Sequence, residues 1–247
     1  MSKKIVIFGA TSAIAHACAR IWAKDKASFV LVARSEEKLQ ANASDLKARG
    51  AKEVITIAAD LSSAEEMPQL VASTESQFGG QSDIVLIAHG ILGDQKKAEQ
   101  ELGHTLEILN TNTLSTIGLL THLANSFERK KKGAIAVISS VAADRGRKSN
   151  YVYGASKACL DVFLEGLRHR LVPKGISVLT VKPGFTSTPM TAHLPQGPLF
   201  VKPELVAKDI IKGINRKRFE IYTPFFWWGI MAIIRSIPRL LFYRTNI

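Results

Sequence analysis

The chain has 247 residues, 46% of them apolar, which is enough for one large α/β core and unlike a disordered linker. Its formal net charge of +12 calls for an anionic partner. No nucleic-acid-binding module is present, so the expected partner is an anionic lipid or a phosphorylated substrate or cofactor, not nucleic acid.

Met1-Ser2-Lys3-Lys4 leads directly into an apolar run with no signal-peptide pattern, and a cytoplasmic protein is expected. Cys18 and Cys159 fall on helical patterns and read as free, buried thiols, as in a reducing compartment. Lys4–Phe8 reads as a buried strand, and Gly9-Ala10-Thr11-Ser12-Ala13-Ile14-Ala15 follows it. A helical pattern with Ile14, Cys18, Ile21 and Trp22 then runs to about Lys24. Strand, glycine-led turn and helix form the setting of a dinucleotide-binding loop. Gly9 supplies the turn, Thr11 and Ser12 cap the helix or donate to phosphate, and the amides from Ala13 and Ile14 onward face a pyrophosphate. Ala13 and Ala15 stand where glycines usually allow close approach, so the loop by itself is weak evidence.

Ser28–Ala33 is the second expected strand and ends in Arg34-Ser35-Glu36-Glu37. An acid at this place holds a ribose 2′-OH, whereas arginine suits a 2′-phosphate, so Arg34 and Ser35 favour NADP(H) over NAD(H). The competing reading leaves Arg34 solvated and makes Ser35 an N-cap. A helix from Ser35 to Arg49 stops at Gly50. Glu53–Ala58 is a third strand, followed by Asp60-Leu61, with Asp60 placed to meet an adenine amine. Ser62-Ser63-Ala64-Glu65 reads as a capping box opening a helix to about Phe78. Ile84–Ala88 is a fourth strand, and His89-Gly90 after it offers a backbone that can pass close to a cofactor, with His89 lining the site. One long helical pattern from Glu99 to about Lys131 carries Asn110 and Asn112, two poor helix formers that suggest a kink or a site.

The chemistry is carried by the stretch from Ser139-Ser140 to Lys157. Ala134–Ile138 is a fifth strand, and Ser140 at its end presents a hydroxyl at the carboxyl edge of the sheet. A helix over 151–173 puts Tyr153 and Lys157 four apart on one face. An ammonium beside a phenol stabilises the phenolate, so Tyr153 is expected to exchange a proton near neutral pH. The intervening Asp144-Arg145-Gly146-Arg147-Lys148 is equally readable as a phosphate contact or a solvated loop. Ser177–Lys182 is a sixth strand leading into Pro183-Gly184 and Thr188. A helix at Pro203–Lys217 and a short strand at Phe219–Tyr222 close the alternation.

This order predicts an α/β Rossmann-type fold: one doubly wound parallel sheet of about seven strands with helices on both faces. Residues 1–223 form that domain, and 224–247 an apolar, basic C-terminal segment. The segment's uncharged run, 221–234, is fourteen residues, too short to span a bilayer. Its paired tryptophans and spaced arginines favour a substrate-facing or peripheral membrane role over a helix packed on its own domain or in a homo-oligomer.

Taken together, Gly9-Ala-Thr-Ser-Ala-Ile-Ala, Asp60-Leu61, Asn112, Ser140, Tyr153-x-x-x-Lys157 and Pro183-Gly184-x-x-x-Thr188 resemble the short-chain dehydrogenase/reductase family over residues 4–222. The resemblance implies a catalytic set of Asn112, Ser140, Tyr153 and Lys157. In it Tyr153 is the proton donor and Ser140 holds the carbonyl. Lys157 lowers the tyrosine pKa and binds the nicotinamide ribose, and Asn112 supports a water relay. Pro183, Gly184 and Thr188 would lie beside the nicotinamide carboxamide. Departures are Phe8, the loop alanines, and Ile87-Ala88-His89-Gly90 in place of Asn-Asn-Ala-Gly. A narrower resemblance rests on Gly90–Asp94, Tyr151–Ala158, Thr191–Leu194 and Ile237-Pro-Arg. It points to the decaprenylphosphoryl-2-keto-erythro-pentose reductases, which implies a 2-keto sugar on a polyprenyl phosphate and a flavin-dependent oxidase partner. Alternatives are another lipid-like ketone (3-oxoacyl or steroid-like), a non-catalytic NADP-binding sensor, and an assembly subunit.

Overall fold

In the computed structural model, which describes residues 2–80 and 82–245, strand and helix alternate from the start. The first half comprises β1 (Lys4–Phe8), α1 (Ala13–Lys24), β2 (Ser28–Ala33), α2 (Glu36–Ala48), β3 (Glu53–Ala58), α3 (Met67–Ser76) and β4 (Ile84–Ile87). After it come α4 (Gln95–Ala98), α5 (Leu102–Leu109), α6 (Ser115–Lys130), β5 (Gly133–Ile138), α7 (Tyr151–Leu171) and β6 (Ile176–Pro183). The chain closes with α8 (Pro203–Asn215), β7 (Glu220–Thr223), α9 (Phe226–Ser236) and α10 (Arg239–Phe242). All strand pairs are parallel, in the order β3-β2-β1-β4-β5-β6-β7.

Period-two alternation within the strands divides the core. Ile5 and Ile7 of β1 face Trp22 of α1, Leu39 of α2 and Ile210 of α8. Val6 and Phe8 face Leu70 of α3, Leu120 of α6 and Leu164 of α7. Each central strand is apolar on both sides because helices cover both faces. The order reverses between β1 and β4, and their carboxyl ends diverge there into the crevice where such sheets bind ligands.

Three local expectations are corrected. The helix read from Ser62 begins later: Asp60 accepts the Ser62 N–H, a 3₁₀ turn covers Ala64–Glu66, and α3 starts at Met67. Pro68 explains this, because proline fits only the first turn of a helix. The single pattern from Glu99 to Lys131 is α5 and α6 joined by a π-helical turn at Asn110–Leu114, so the two asparagines do mark a break. Cys18 is buried, but Cys159 is exposed on α7.

The C-terminal segment packs on the body by one face only. Trp227, Met231 and Ile234 of α9, at helical spacing, bury against Val141 and Tyr222. Phe226, Trp228 and Ile233 on the same helix stay exposed, as do Leu240 and Leu241 of α10. Among the described residues no helix is long and apolar enough to cross a membrane.

Candidate active site

The end of β1 is built for close approach. Gly9 has a φ of +78°, and a Cβ there would lie 2.5 Å from the His89 amide nitrogen. Val32 O accepts both the Gly9 and the Ala10 N–H, which ties the loop to β2. Ser12 occupies the N-cap of α1 without a side-chain capping bond, so the first-turn amides remain available to an anion. Of the two alanines in glycine positions, Ala15 is buried in the core and Ala13 borders a cavity. Gly9, Thr11, Ser12, Ala13 and Ile14 all border one cavity of about 1210 Å³.

The same cavity is bordered by Arg34, Asp60, Leu61, Gly90, Ser140, Tyr153, Lys157, Pro183, Gly184 and Thr188. Arg34 is exposed at the end of β2, and Ser35 beside it caps α2 by accepting the Lys38 N–H. Asp60 spends one carboxylate oxygen on its Ser62 turn. Thr188 opens a short 3₁₀ turn through a capping box with Thr191. Of the residues selected for the catalytic set and the cofactor, only Asn112 and Ser35 do not border the cavity. Asn112 lies fully buried in the π-helical turn, where its Oδ1 accepts the Ile91 N–H (2.8 Å) and its Nδ2 donates to Ile91 O (2.9 Å) and Ser156 Oγ (3.0 Å). Its side chain braces the loop after β4 against α7. A Cβ at Gly90 would come within 3.0 Å of Asn112 Oδ1 and 3.5 Å of Lys157 Nζ, so a glycine keeps these groups together.

Tyr153 and Lys157 share a face of α7, with Nζ 5.9 Å from the phenol ring centroid. Lys157 is buried and donates to Ile138 O at 3.1 Å. Burial lowers its pKa to about 8, against the opposing pull of Asp161. The expectation that Lys157 holds the Tyr153 pKa down is not met. Burial raises that pKa above the ordinary phenol value, while the neighbouring Ser140 hydroxyl and the charge of Arg147 pull it back down. Ser140 Oγ also accepts the Ala142 N–H, which fixes the hydroxyl at the end of β5. His89 lines the cavity as expected. Its Nε2 meets Ser115 and Thr116, and burial next to Lys157 drops its pKa to about 3, so it stays neutral and is no proton donor.

The loop 144–148 resolves into separate tasks. Asp144 ion-pairs with Lys182 and accepts the Tyr222 hydroxyl. Arg145 donates to Ile234 O, Arg235 O (3.1 Å) and Ile237 O (2.8 Å) at the end of α9, and sits 3.8 Å over the Phe242 ring. This pins the C-terminal segment beside Ser140. Arg147 borders the cavity. The sequence favours a substrate-facing or membrane role for the C-terminal segment without naming its residues; α9 contributes Trp227, Ile230 and Ile234 to the cavity wall. Gly184 is its seat, since a Cβ there would lie 1.9 Å from the Trp227 indole nitrogen. The available signal was a glycine after β6 paired with aromatics after β7.

The family profile described as short chain dehydrogenase matches residues 3–198. This chain belongs to that family. It is 37% identical over 240 residues to an uncharacterized oxidoreductase of Mycobacterium tuberculosis, covering 97% of this chain and 96% of that protein. A second uncharacterized oxidoreductase, from Streptomyces coelicolor, is 33% identical over 246 residues (98% and 95% covered). The ketoacyl reductase HetN of Nostoc is 31% identical over 224 residues, covering 89% of this chain and 77% of that one. Among solved structures, the short-chain dehydrogenase of Sphingobium yanoikuyae in complex with NADPH superposes with a TM-score of 0.80 at 24% identity, covering 96% and 97%. That likeness is one of fold. The protein is an oxidoreductase of the short-chain dehydrogenase/reductase fold.

Proposed function

We propose that the protein is an NADP(H)-dependent carbonyl reductase. The observation that carries this reading is the meeting of Ser140, Tyr153 and Lys157 with the Gly9 loop on one cavity. The cavity fits a dinucleotide on its own terms: Gly9 leaves a cradle that a Cβ would fill, and the α1 N-terminus keeps its amides open. Bound there, a nicotinamide supplies or takes up hydride. Thr11, Ser12 and the amides from Ala13 and Ile14 hold the phosphates. Asp60 and Leu61 flank the adenine side, and Pro183, Gly184 and Thr188 the nicotinamide side.

Ser140 orients the substrate carbonyl, and Tyr153 donates its phenol proton to the oxygen as negative charge develops there. Lys157 keeps a positive charge against the site and holds the ribose, and Asn112 keeps the loop at Gly90 and α7 in register. Arg34 favours the 2′-phosphate of NADP(H). Arg34→Ala should cut the NADPH/NADH ratio of kcat/KM about tenfold, in keeping with one charge-assisted hydrogen bond. An unchanged ratio would remove Arg34 from cofactor choice.

The substrate reading is a 2-keto sugar on a polyprenyl phosphate, delivered by a flavin-dependent oxidase. The apolar wall of α9, the exposed Phe225, Phe226, Trp228 and Ile233 beside it, and the tail arginines 235, 239 and 244 support a lipid-linked anion met at a membrane surface. On this reading 224–247 acts as the substrate-side lid of the 1–223 domain. HetN's name supports a second reading, a 3-oxoacyl substrate. The deciding assay follows NADPH consumption with a polyprenyl-phosphoryl 2-keto-pentose and, in parallel, a 3-oxoacyl thioester. Turnover of the first alone supports the lipid-sugar reductase. Turnover of the second alone replaces it, and turnover of neither leaves the sensor reading. Cosedimentation with anionic vesicles, weakened by Trp228→Glu, tests the surface contact.

A further inference from the structure

Arg147 stands apart from the other charges around the cavity. It borders the cavity on the Ser140–Tyr153 side, and among the described residues no acceptor bonds its guanidinium. Its Nε is shut away from solvent without a partner. The carboxylate nearest in charge, Asp144, gives one oxygen to Lys182 (2.8 Å) and the other to the Tyr222 hydroxyl (2.8 Å). Its neighbour Arg145 is fully occupied by the α9 carbonyls and the Phe242 ring. Asp144 is near enough for its charge to act on Arg147 but gives it no hydrogen bond, and a largely desolvated cation left without one is costly, since folded proteins keep such groups hydrogen-bonded. The missing partner is therefore to be sought in what fills the cavity.

The geometry points to Arg147 as an anion subsite of the substrate pocket, which takes a phosphate ester carried within a few bonds of the carbonyl that Tyr153 addresses. The inference rests on the carbonyl-reductase reading and deepens it by naming the charge of the substrate and its position. The location decides between ligands. Arg147 lies in the loop between Ser140 and Tyr153, and its charge is felt by the Tyr153 phenol, whereas the cradle for cofactor phosphates lies at the Gly9 loop and the α1 N-terminus. An anion far along a substrate tail would not come near this loop, but a phosphate on the carbon next to a ketone would. Arginine suits the task because its planar fork can meet two phosphate oxygens at once.

The test is binding, so that it stands apart from turnover. Dihydroxyacetone phosphate and neutral dihydroxyacetone are titrated calorimetrically into the NADP⁺-saturated protein, its Arg147→Gln and Arg147→Lys variants, and Tyr153→Phe. The expected result is that Arg147→Gln weakens the phosphate ester at least tenfold, leaves the neutral ketone unchanged, and is partly rescued by Arg147→Lys. Tyr153→Phe should keep the wild-type preference for the phosphate ester over the neutral ketone. Equal affinity of wild type and Arg147→Gln for the phosphate ester, or no binding of it by the wild type, overturns the subsite. A parallel loss for charged and neutral ketones would mean that Arg147 acts only through Tyr153, which also overturns it. Arg147→Gln is expected to unfold at or above the wild-type temperature, because it removes an unpaired charge; a fall would show a partner inside the protein and sink the premise. If the phosphate ester binds through Arg147 while no ketone is ever reduced, the subsite stands and the reductase reading falls.

Discussion

Two buried lysines lie at the carboxyl side of the sheet, and they are held in opposite ways. Lys182, near the end of β6, meets three carboxylates: Asp144 at 2.8 Å, Asp161 at 3.1 Å and Glu220 at 2.8 Å. These bonds push its pKa above the usual lysine range despite its burial. Lys157, on α7, is as well buried but among the described residues hydrogen-bonds only the Ile138 carbonyl, and its pKa falls to about 8. The same side chain is stapled into the fold at one place and left poorly compensated at the other. Lys182 locks β6, β7 and the Asp144 loop together. Lys157 keeps a charge that the surroundings do not satisfy, as expected of a group reserved for a ligand and a proton reaction.

The largest effect that would sharpen this contrast is catalytic. Tyr153→Phe removes the proposed proton donor and leaves the cavity intact, so kcat should fall by about 10³-fold with cofactor affinity retained. Residual activity above a tenth would move the chemistry away from Tyr153. Next comes Lys182→Met, which strands three carboxylates and should cost about 3–5 kcal/mol in chemical denaturation, the usual loss when one side of a buried pair is removed. Lys157→Met should do the reverse: abolish turnover and raise the cofactor-free unfolding temperature at neutral pH. The sign follows from the proton balance. Folded Lys157 releases its proton near pH 8, whereas the unfolded chain holds it to 10.5, so wild-type stability climbs with pH between the two values. The deficit near neutrality is about 3 kcal/mol. The variant's advantage should therefore shrink as pH rises and vanish above 10.5; a constant advantage would trace it to packing instead.

The two lysines also show what sequence reading can reach. The fold was legible because its signals are local: the β1–Gly9–α1 turn, apolar strands bounded by glycines, and Tyr153 four residues before Lys157 on one helix. The seven strands match their expected places to within a residue or two. Low helix propensity marked Asn110 and Asn112 together and the family resemblance chose Asn112, yet its fully engaged side chain could not be foreseen, because the π turn and its Ile91 and Ser156 partners depend on packing between α6, α7 and the loop after β4. Arg145 and Arg147 looked alike as members of a charge run. Only the arrival of α9, some ninety residues later, separates a pinned arginine from an unpartnered one. Lys182 did carry a signal: a lone charge inside the apolar strand Ile176–Pro183 requires buried partners.

Asp161 joins the two lysines and gives the finest test of the contrast. It follows Lys157 by one turn of α7, pairs with Lys182 through Oδ2, and its negative charge raises the pKa of both Lys157 and Tyr153. Asp161→Asn leaves Lys182 with Asp144 and Glu220, so stability should change far less than in Lys182→Met. The electrostatic consequence falls on the active site instead. Without that carboxylate, Lys157 and Tyr153 both release protons at lower pH, and the alkaline limb of kcat for ketone reduction should move toward neutrality while the rate on the acid side of the limb persists. Since the proposed mechanism needs the ammonium and the neutral phenol, the direction of that displacement is fixed by the sign of the lost charge. A limb that stays in place, with turnover lowered equally at all pH values, would mean that Asp161 serves Lys182 alone and that the two lysines are electrostatically independent.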